Sequence, residues 1–407
     1  MSHRYAGFLA LACTACEGLF GVDFGDAHRT DSTGVGTGGS GHGWTKLELL
    51  NGTDGVPHAT TDFVTAIWCE ALDHCVVATE GDAFEAGNLY AATHEQVTAI
   101  LLDGSSIYED VAFTGLAPSS LGLFARINRA EPFVIVDAEL GVATIDPGNL
   151  GGFEGALNPQ LWFQSTERAG SQLAFRSVVM SAPGPPGSGA VWSPIWMPPS
   201  IPIDFFDLLI ADQMLCTVGP SVARGPAGWV SDDLQQAIFP VGTGFDDDYP
   251  GACVSIDGGM TFRYAPLPTD DVRYGGPHGA RCNDPRHCWL IGDGSVNEPA
   301  YIYFLSGELT AGLTWTRAMI PDGPERTLND IAFAPDGLHG WAVGSEAPGQ
   351  GLLMKSDDGG KTWSDNLVAD VPDFREFELL SVFALDDHNI WVGGDKGLLM
   401  SNGKAGL

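Results

Sequence analysis

The chain has 407 residues, 44% of them hydrophobic, which is enough for one large repeat domain or more than one ordinary domain. Its formal net charge of −33 argues against a nucleic-acid surface, which needs Lys and Arg to neutralise phosphates, and against direct adhesion to an anionic membrane. The 54 glycines and 26 prolines suit turns and short strands better than long helices.

The N-terminus opens with Met1-Ser2-His3-Arg4-Tyr5 and an apolar run over 6–12, followed by Cys13-Thr14-Ala15-Cys16. A basic start, an apolar stretch and a small residue before Cys predict an export signal over 1–16. The pattern resembles a bacterial lipoprotein signal, in which the Cys after a small residue is lipidated. Cys16, followed by the polar Glu17, is the expected site, with Cys13 as the alternative. The competing reading is an unprocessed cytosolic terminus. The chain has no apolar stretch of the ~18 residues a spanning helix needs, so the expected membrane contact is through the lipid alone. Residues 17–43 include the run GTGGSGHG and are read as a flexible tether.

The body, 44–407, repeats itself. Residues 65–79 (TAIWCEALDHCVVAT), 280–292 (ARCNDPRHCWLIG), 331–344 (IAFAPDGLHGWAVG) and 380–393 (LSVFALDDHNIWVG) share one layout. Each reads as strand, polar turn with His, then a second strand ending in small residues. His287, His339 and His388 stand about 50 residues apart, and the gap back to His74 holds about four such periods. A second landmark keeps phase with the first. Ser255-Ile256-Asp257-Gly258-Gly259-Met260-Thr261-Phe262 and Ser356-Asp357-Asp358-Gly359-Gly360-Lys361-Thr362-Trp363 share the form S-x-D-x-G-x-T-(F/W), an Asp-box, and 306–315 is a stretched copy. Such a turn needs Asp to accept backbone N–H groups, Gly for positive φ and an aromatic to plug the gap between strands.

The repeat is cut at both ends in a complementary way. The last unit stops at Ser401-Asn402-Gly403-Lys404 without its outer strand, while Trp44-Thr45-Lys46-Leu47 reads like Trp315-Thr316-Arg317-Ala318. Residues 44–50 are therefore expected to supply the outer strand of the last sheet, hiding an edge. The predicted fold is all-β: a seven-bladed β-propeller of four-stranded antiparallel blades, closed by the N-terminal strand in the last blade. The Pro/Gly-rich stretch over 181–210 breaks the phase and is read as an insertion between blades 3 and 4, a candidate binding edge.

Six cysteines fall in the body. Cys69/Cys75 and Cys282/Cys288 each bracket a polar turn, so each pair is expected to bridge across a hairpin, and Cys216 is paired with Cys253. An even count with none left over fits an oxidising compartment. Zinc is the rival use, at a spacing zinc sites do not favour. Residues 245–249 (FDDDY) could offer oxygens to Ca²⁺ or form a solvated acidic turn.

The motifs "IWVGGDKGLLMSN", "GWAVGS" and "SDDGGKTW" resemble those of Asp-box propellers, especially the group similar to photosystem II assembly factors, with BNR and sortilin-type propellers as relatives. The resemblance covers about 250–407 and extends to the first blade through 65–79. It implies a ring of blades and protein-binding or assembly work. Related propellers include sialidases, which hold a carboxylate with an arginine cluster. Only 14 arginines occur here, two of them ahead of the body. The expectation is a monomeric, non-catalytic module without a cofactor. It would be lipid-anchored at a bacterial cell envelope or surface and would bind protein or surface polysaccharide. An Asp-box glycoside hydrolase is the alternative.

Overall fold

The computed structural model describes residues 44–51, 58–59, 62–71, 74–81 and 87–99, the strands named below between 113 and 196, and 229–231, 236–241, 250–257, 263–268, 277–292, 300–309, 313–323, 326–346, 349–365 and 374–403. The described chain is a β-propeller built from antiparallel sheets.

The first strand, β1 (Trp44–Glu48), belongs to the last sheet, and β2 (Leu50–Asn51) pairs with β3 (His58–Ala59) in a short ribbon. Blade 1 is β4 (Phe63–Ala71), β5 (His74–Glu80), β6 (Leu89–Ala92) and β7 (Val97–Ala99). Blade 2 is β8 (Phe113–Ser119), β9 (Gly122–Ile127), β10 (Phe133–Asp137) and β11 (Gly141–Ile145). Blade 3 is β12 (Trp162–Thr166), β13 (Gly170–Phe175), β14 (Val178–Ala182) and β15 (Ser193–Trp196). Blade 4 is β16 (Trp229–Val230), β17 (Ala237–Val241), β18 (Gly251–Ser255) and β19 (Arg263–Pro266). Blade 5 is β20 (Pro277–Asp284), β21 (His287–Gly292), β22 (Tyr301–Ser306) and β23 (Thr314–Arg317). Blade 6 is β24 (Arg326–Phe333), β25 (Gly340–Glu346) and β26 (Gly351–Ser356). Blade 7 is β27 (Leu379–Ala384), β28 (Ile390–Gly394) and β29 (Leu398–Asn402), with β1 as its outer strand.

The two ends of the described chain meet in one sheet. β1 runs antiparallel to β29, with Leu47 opposite Leu399 and Trp44 opposite Asn402. First strands neighbour one another around the hub: β27 touches both β24 and β4, β4 touches β8, β8 touches β12, and β20 touches β24, while towards blade 4 β20 meets mainly the second strand, β17. Five of these strands carry a register shift near their start, at Val64/Ala66, Phe113/Gly115, Pro277/Gly279, Leu328/Asp330 and Leu379/Ser381. A bulge at that point bends and twists the strand, which lets neighbouring sheets fan out from a narrow hub.

Second strands are the most buried, because a blade lies against each of their faces. Ile390–Gly394 is buried throughout, and His287–Gly292 is buried after its first residue. Doubly covered strands read as unbroken apolar runs, whereas the outer strand Thr314–Arg317 alternates. The core is thus a series of interleaves, with Trp341 packed among blade 7 residues and Trp391 among blade 1 residues. Blade 6 has three strands, but Ser364 exchanges two backbone hydrogen bonds with Lys355 on the free edge of β26.

The stretch over 181–210 is not all insertion. Ser181 and Ala182 end β14, and Ser193–Trp196 form β15, the outer strand of blade 3. Pro194 is tolerated there because an outer strand needs no further hydrogen-bond partner. The remainder of that stretch, the signal at 1–16, the tether at 17–43 and the acidic turn at 245–249 lie outside the described residues.

Candidate functional site

The turn between the first and second strands of blades 5, 6 and 7 is one device built three times. Asp284 accepts hydrogen bonds from the N–H groups of Arg286 and His287, and its carboxylate meets His287 Nδ1 at 2.8 Å. Asp336 does the same for Leu338 and His339, with His339 Nδ1 at 2.5 Å. In blade 7 Asp386 serves His388 and Asn389, but the side-chain partner is Asn389, whose Nδ2 donates to the carboxylate at 2.5 Å. His388 is therefore not the counterpart of His287 and His339. The shared pattern is Asp-x-x-(His/Asn)-x-Trp, with the Asp holding the turn closed. Burial favours the protonated forms of Asp284 and Asp336, but the hydrogen bonds from the paired histidine and the turn N–H groups outweigh it, so both sit below the usual carboxylate value.

The second device is the Asp-box turn between third and fourth strands, on the same face of the sheet. Ser356 Oγ donates to Asp358 at 2.9 Å and accepts from the N–H of Gly360 at 2.9 Å. Asp358 also takes the N–H groups of Lys361 and Thr362 and the Thr362 hydroxyl. Burial acts to raise the Asp358 pKa, yet these bonds, led by Thr362, hold it below the ordinary value. Trp363 closes the box, its Nε1 donating to Gly360 O at 3.0 Å. In the other copy Ser255 Oγ donates to Asp257 at 2.9 Å, while Gly259 and Phe262 lie outside the described residues.

These devices interlock between blades. Trp289, on the second strand of blade 5, donates from Nε1 to Gly359 O of blade 6 at 3.0 Å. Its ring stacks on Phe333 at 3.5 Å, and Phe333 meets Trp363 edge-on at 5.8 Å. The turn over 283–287 is tied to both blades: Asn283 Nδ2 donates to Ala334 O at 2.6 Å, and Pro285 O accepts from the N–H of Leu309.

Above this stack lies an open cleft of about 320 Å³. Trp289, Phe304 and Leu305 form its apolar floor, and Arg286, Leu338 and Lys361 stand on its lips. The corresponding place between blades 7 and 1 is filled. There His94, buried in the turn after β6, stacks on Trp391 with ring centroids 5.0 Å apart. Blade 6 presents glycine where blade 1 presents an imidazole, and the indole there packs on Phe333 and the turn backbone instead, with the cleft opening beside it.

The cysteines staple the same kind of turn. Cys69 bridges Cys75 and Cys282 bridges Cys288, each pair directly opposite in the ladder with Cα atoms 4.0 Å apart. Those four sulfurs are thereby unavailable to zinc. Cys253 is also disulfide-bonded, while Cys216 and the lipidation candidates Cys13 and Cys16 lie outside the described residues. Among the described residues no cluster of His, Cys, Asp or Glu could hold a metal ion. Reading the sequence by its histidines missed Asp284, Asp336 and Asp386; aligning it on Asp and Trp finds them. Met319, Leu338 and Lys361 have no comparable signal.

Residues 309–407 match the family model described as photosynthesis system II assembly factor YCF48. A curated relative, the photosystem II assembly lipoprotein Ycf48 of Synechococcus sp. (strain CC9902), is 35% identical over 77 residues. That match spans 19% of this chain and 21% of the relative. Among solved structures, YCF48 from Cyanidioschyzon merolae superposes with a TM-score of 0.58 at 13% identity, over 89% of this chain and 98% of that one. A structure described as YCF48 bound to D1 peptide gives 0.55 at 13% identity, over 89% and 97%. The shared architecture is the β-propeller, and the C-terminal stretch resembles that of the assembly-factor group.

Proposed function

We propose that this chain is a non-catalytic, protein-binding assembly module, exported and held at a bacterial envelope membrane by lipid on Cys16, or on Cys13 if processing falls earlier. One observation carries the reading: the segment that resembles the assembly-factor model, 309–407, is also the segment that builds one wall of the cleft, from Leu338 to Lys361. A relative of the same fold is described as bound to a peptide, which supports a polypeptide as ligand. Another is named a lipoprotein, which supports the signal over 1–16. On this reading 17–43 is the tether and 44–407 a single monomeric propeller whose seven blades close into a ring. The photosynthetic partner in the relatives' names is not carried over to this chain.

The test is affinity purification of the full chain from the envelope of its bacterial host, with a glycan array and a glycosidase screen run in parallel. A saturable polypeptide partner is expected. Binding to polysaccharide alone would overturn the ligand class, and release of a sugar product would overturn the non-catalytic reading. A mature protein whose mass retains an unmodified Met1 would remove the lipid anchor.

A further inference from the structure

Only three large hydrophobic side chains are exposed among the described residues: Ile256, Met319 and Leu338. Two of the three are hydrogen-bonded through their backbones to the same Asp-box turn. Leu338 O accepts from Gly359 N, Met319 N donates to Lys361 O, and Met319 O accepts from Trp363 N. Met319 is 68% exposed and Leu338 52%, so the turn is flanked by apolar side chains on both sides. Lys361 is exposed between them, at the lip of the cleft.

Most of the polar side chains around this lip have partners among the described residues. Arg286 is bonded to Glu308, His287 to Asp284, His339 to Asp336 and Lys355 to Asp357. Asp358 is saturated by the turn it organises. The Lys361 ammonium makes no hydrogen bond or ion pair with any described residue. Among the described residues the lip thus offers one ammonium without a partner beside the uncovered apolar side chains of Met319 and Leu338 and the Phe304 floor. A void of about 320 Å³ is the scale of one large side chain rather than of a cofactor.

We propose that the cleft between blades 5 and 6, with Leu338 and Lys361 on its lip and the exposed Met319 beside the same turn, docks a polypeptide segment in which a carboxylate side chain adjoins an aromatic one. The aromatic ring enters between Phe304 and Leu338, over the edge of the buried Trp289, and the carboxylate pairs with Lys361. This rests on the protein-binding reading and assigns it a place and a chemistry. The charge preference is a stringent one, because a chain of net charge −33 attracts basic peptides everywhere else on its surface.

The probe is an acetylated, amidated pentapeptide with 4-fluorophenylalanine between two aspartates, followed by ¹⁹F line broadening on adding the full chain. A counterpart with lysines in place of the aspartates is the control. The acidic peptide is expected to broaden more than the basic one. Lys361→Glu and Leu338→Asp, both surface changes, should each weaken it by roughly fivefold or more, while the exposed Arg375→Glu elsewhere leaves it unchanged. Stronger broadening of the basic peptide, or equal broadening by the Lys361→Glu variant, overturns the assignment. No broadening of the acidic peptide overturns it too. The envelope purification separates that failure from the broader reading: a protein partner captured equally by wild type and Leu338→Asp sinks this site alone, and the absence of any protein partner sinks both.

Discussion

Gly360→Ala tests whether the blades are interlocked through the Asp-box. Gly360 has φ of +83°, and a Cβ there would stand 2.5 Å from Trp289 Nε1 and 2.9 Å from Phe333 Cζ. Two costs add. The left-handed conformation costs an alanine about 1–2 kcal/mol. Forcing a methyl into the Trp289–Phe333 stack costs about 1–3 kcal/mol more, because both rings are buried and the indole is fixed by its bond to Gly359 O. The expected loss is therefore about 2–5 kcal/mol. Gly349→Ala supplies the control, since Gly349 has φ of +77° but nothing within 4 Å of its would-be Cβ. It should lose only the conformational part, about 1–2 kcal/mol. Urea unfolding of both variants, followed by tryptophan fluorescence and compared at equal slope, measures the difference directly. Equal losses in the two variants would refute the claim that the indole and the turn are in contact.

Four further outcomes follow from the same geometry. Trp289→Phe keeps the ring stack but leaves Gly359 O without its donor, and should cost about 1–3 kcal/mol in the same assay, against about 3–5 kcal/mol for Trp289→Ala. Replacing Cys282 and Cys288 together by alanine opens a small loop and should lower stability by about 2 kcal/mol while Asp284 keeps the turn closed, so Trp289 fluorescence should be unchanged in native buffer. Arg326, nearly buried and bonded to Glu346 and Asp365 at 2.7 Å each, loses some charge preference to burial but is held protonated by those carboxylates; Arg326→Met should cost about 3 kcal/mol, the low end for a broken buried pair because both carboxylates keep access to water. Asp284, Asp336 and Asp358 have folded pKa values below their unfolded ones, so their contribution is complete above the unfolded carboxylate range and lost as pH falls through the folded values. Acid titration should accordingly show a stability decline beginning near pH 4 that is shallower in Asp358→Asn, and an unchanged slope in that variant would count against it.

The parts of this fold legible in the sequence are those encoded locally or by repetition. The Asp-box turns announce themselves because Ser356, Asp358, Gly360 and Trp363 all act within eight residues. The β1–β29 pairing could be anticipated because Trp44 repeats the phase of Trp315. The blade 7 turn was misaligned by one residue because His388 is the more conspicuous residue, while the bond that holds the turn is made by Asn389. The cleft was not legible at all. Its floor and lips come from different blades, and Trp289 reaches a carbonyl 70 residues away. Nor does the chain advertise that the Lys361 ammonium has no partner among the described residues; that follows only from the contacts its neighbours make.

Repetition also explains why a ring of similar blades could offer one binding place rather than several. The grooves between blades 5 and 6 and between blades 7 and 1 each place a second-strand tryptophan beside the next blade's outer turn, and they are distinguished by what faces it. Between blades 7 and 1 the filler is His94, against Trp391. Between blades 5 and 6 the facing residues are Gly359, whose carbonyl accepts from the indole, and Gly360, which can approach the indole only because it lacks a side chain. Gly360 lets the Asp-box turn press onto the Trp289–Phe333 stack, while Gly359 borders the cleft beside it. The two glycines of one turn thus divide the work, so a bulky substitution at Gly359 should narrow the cleft while one at Gly360 should loosen the blade interface.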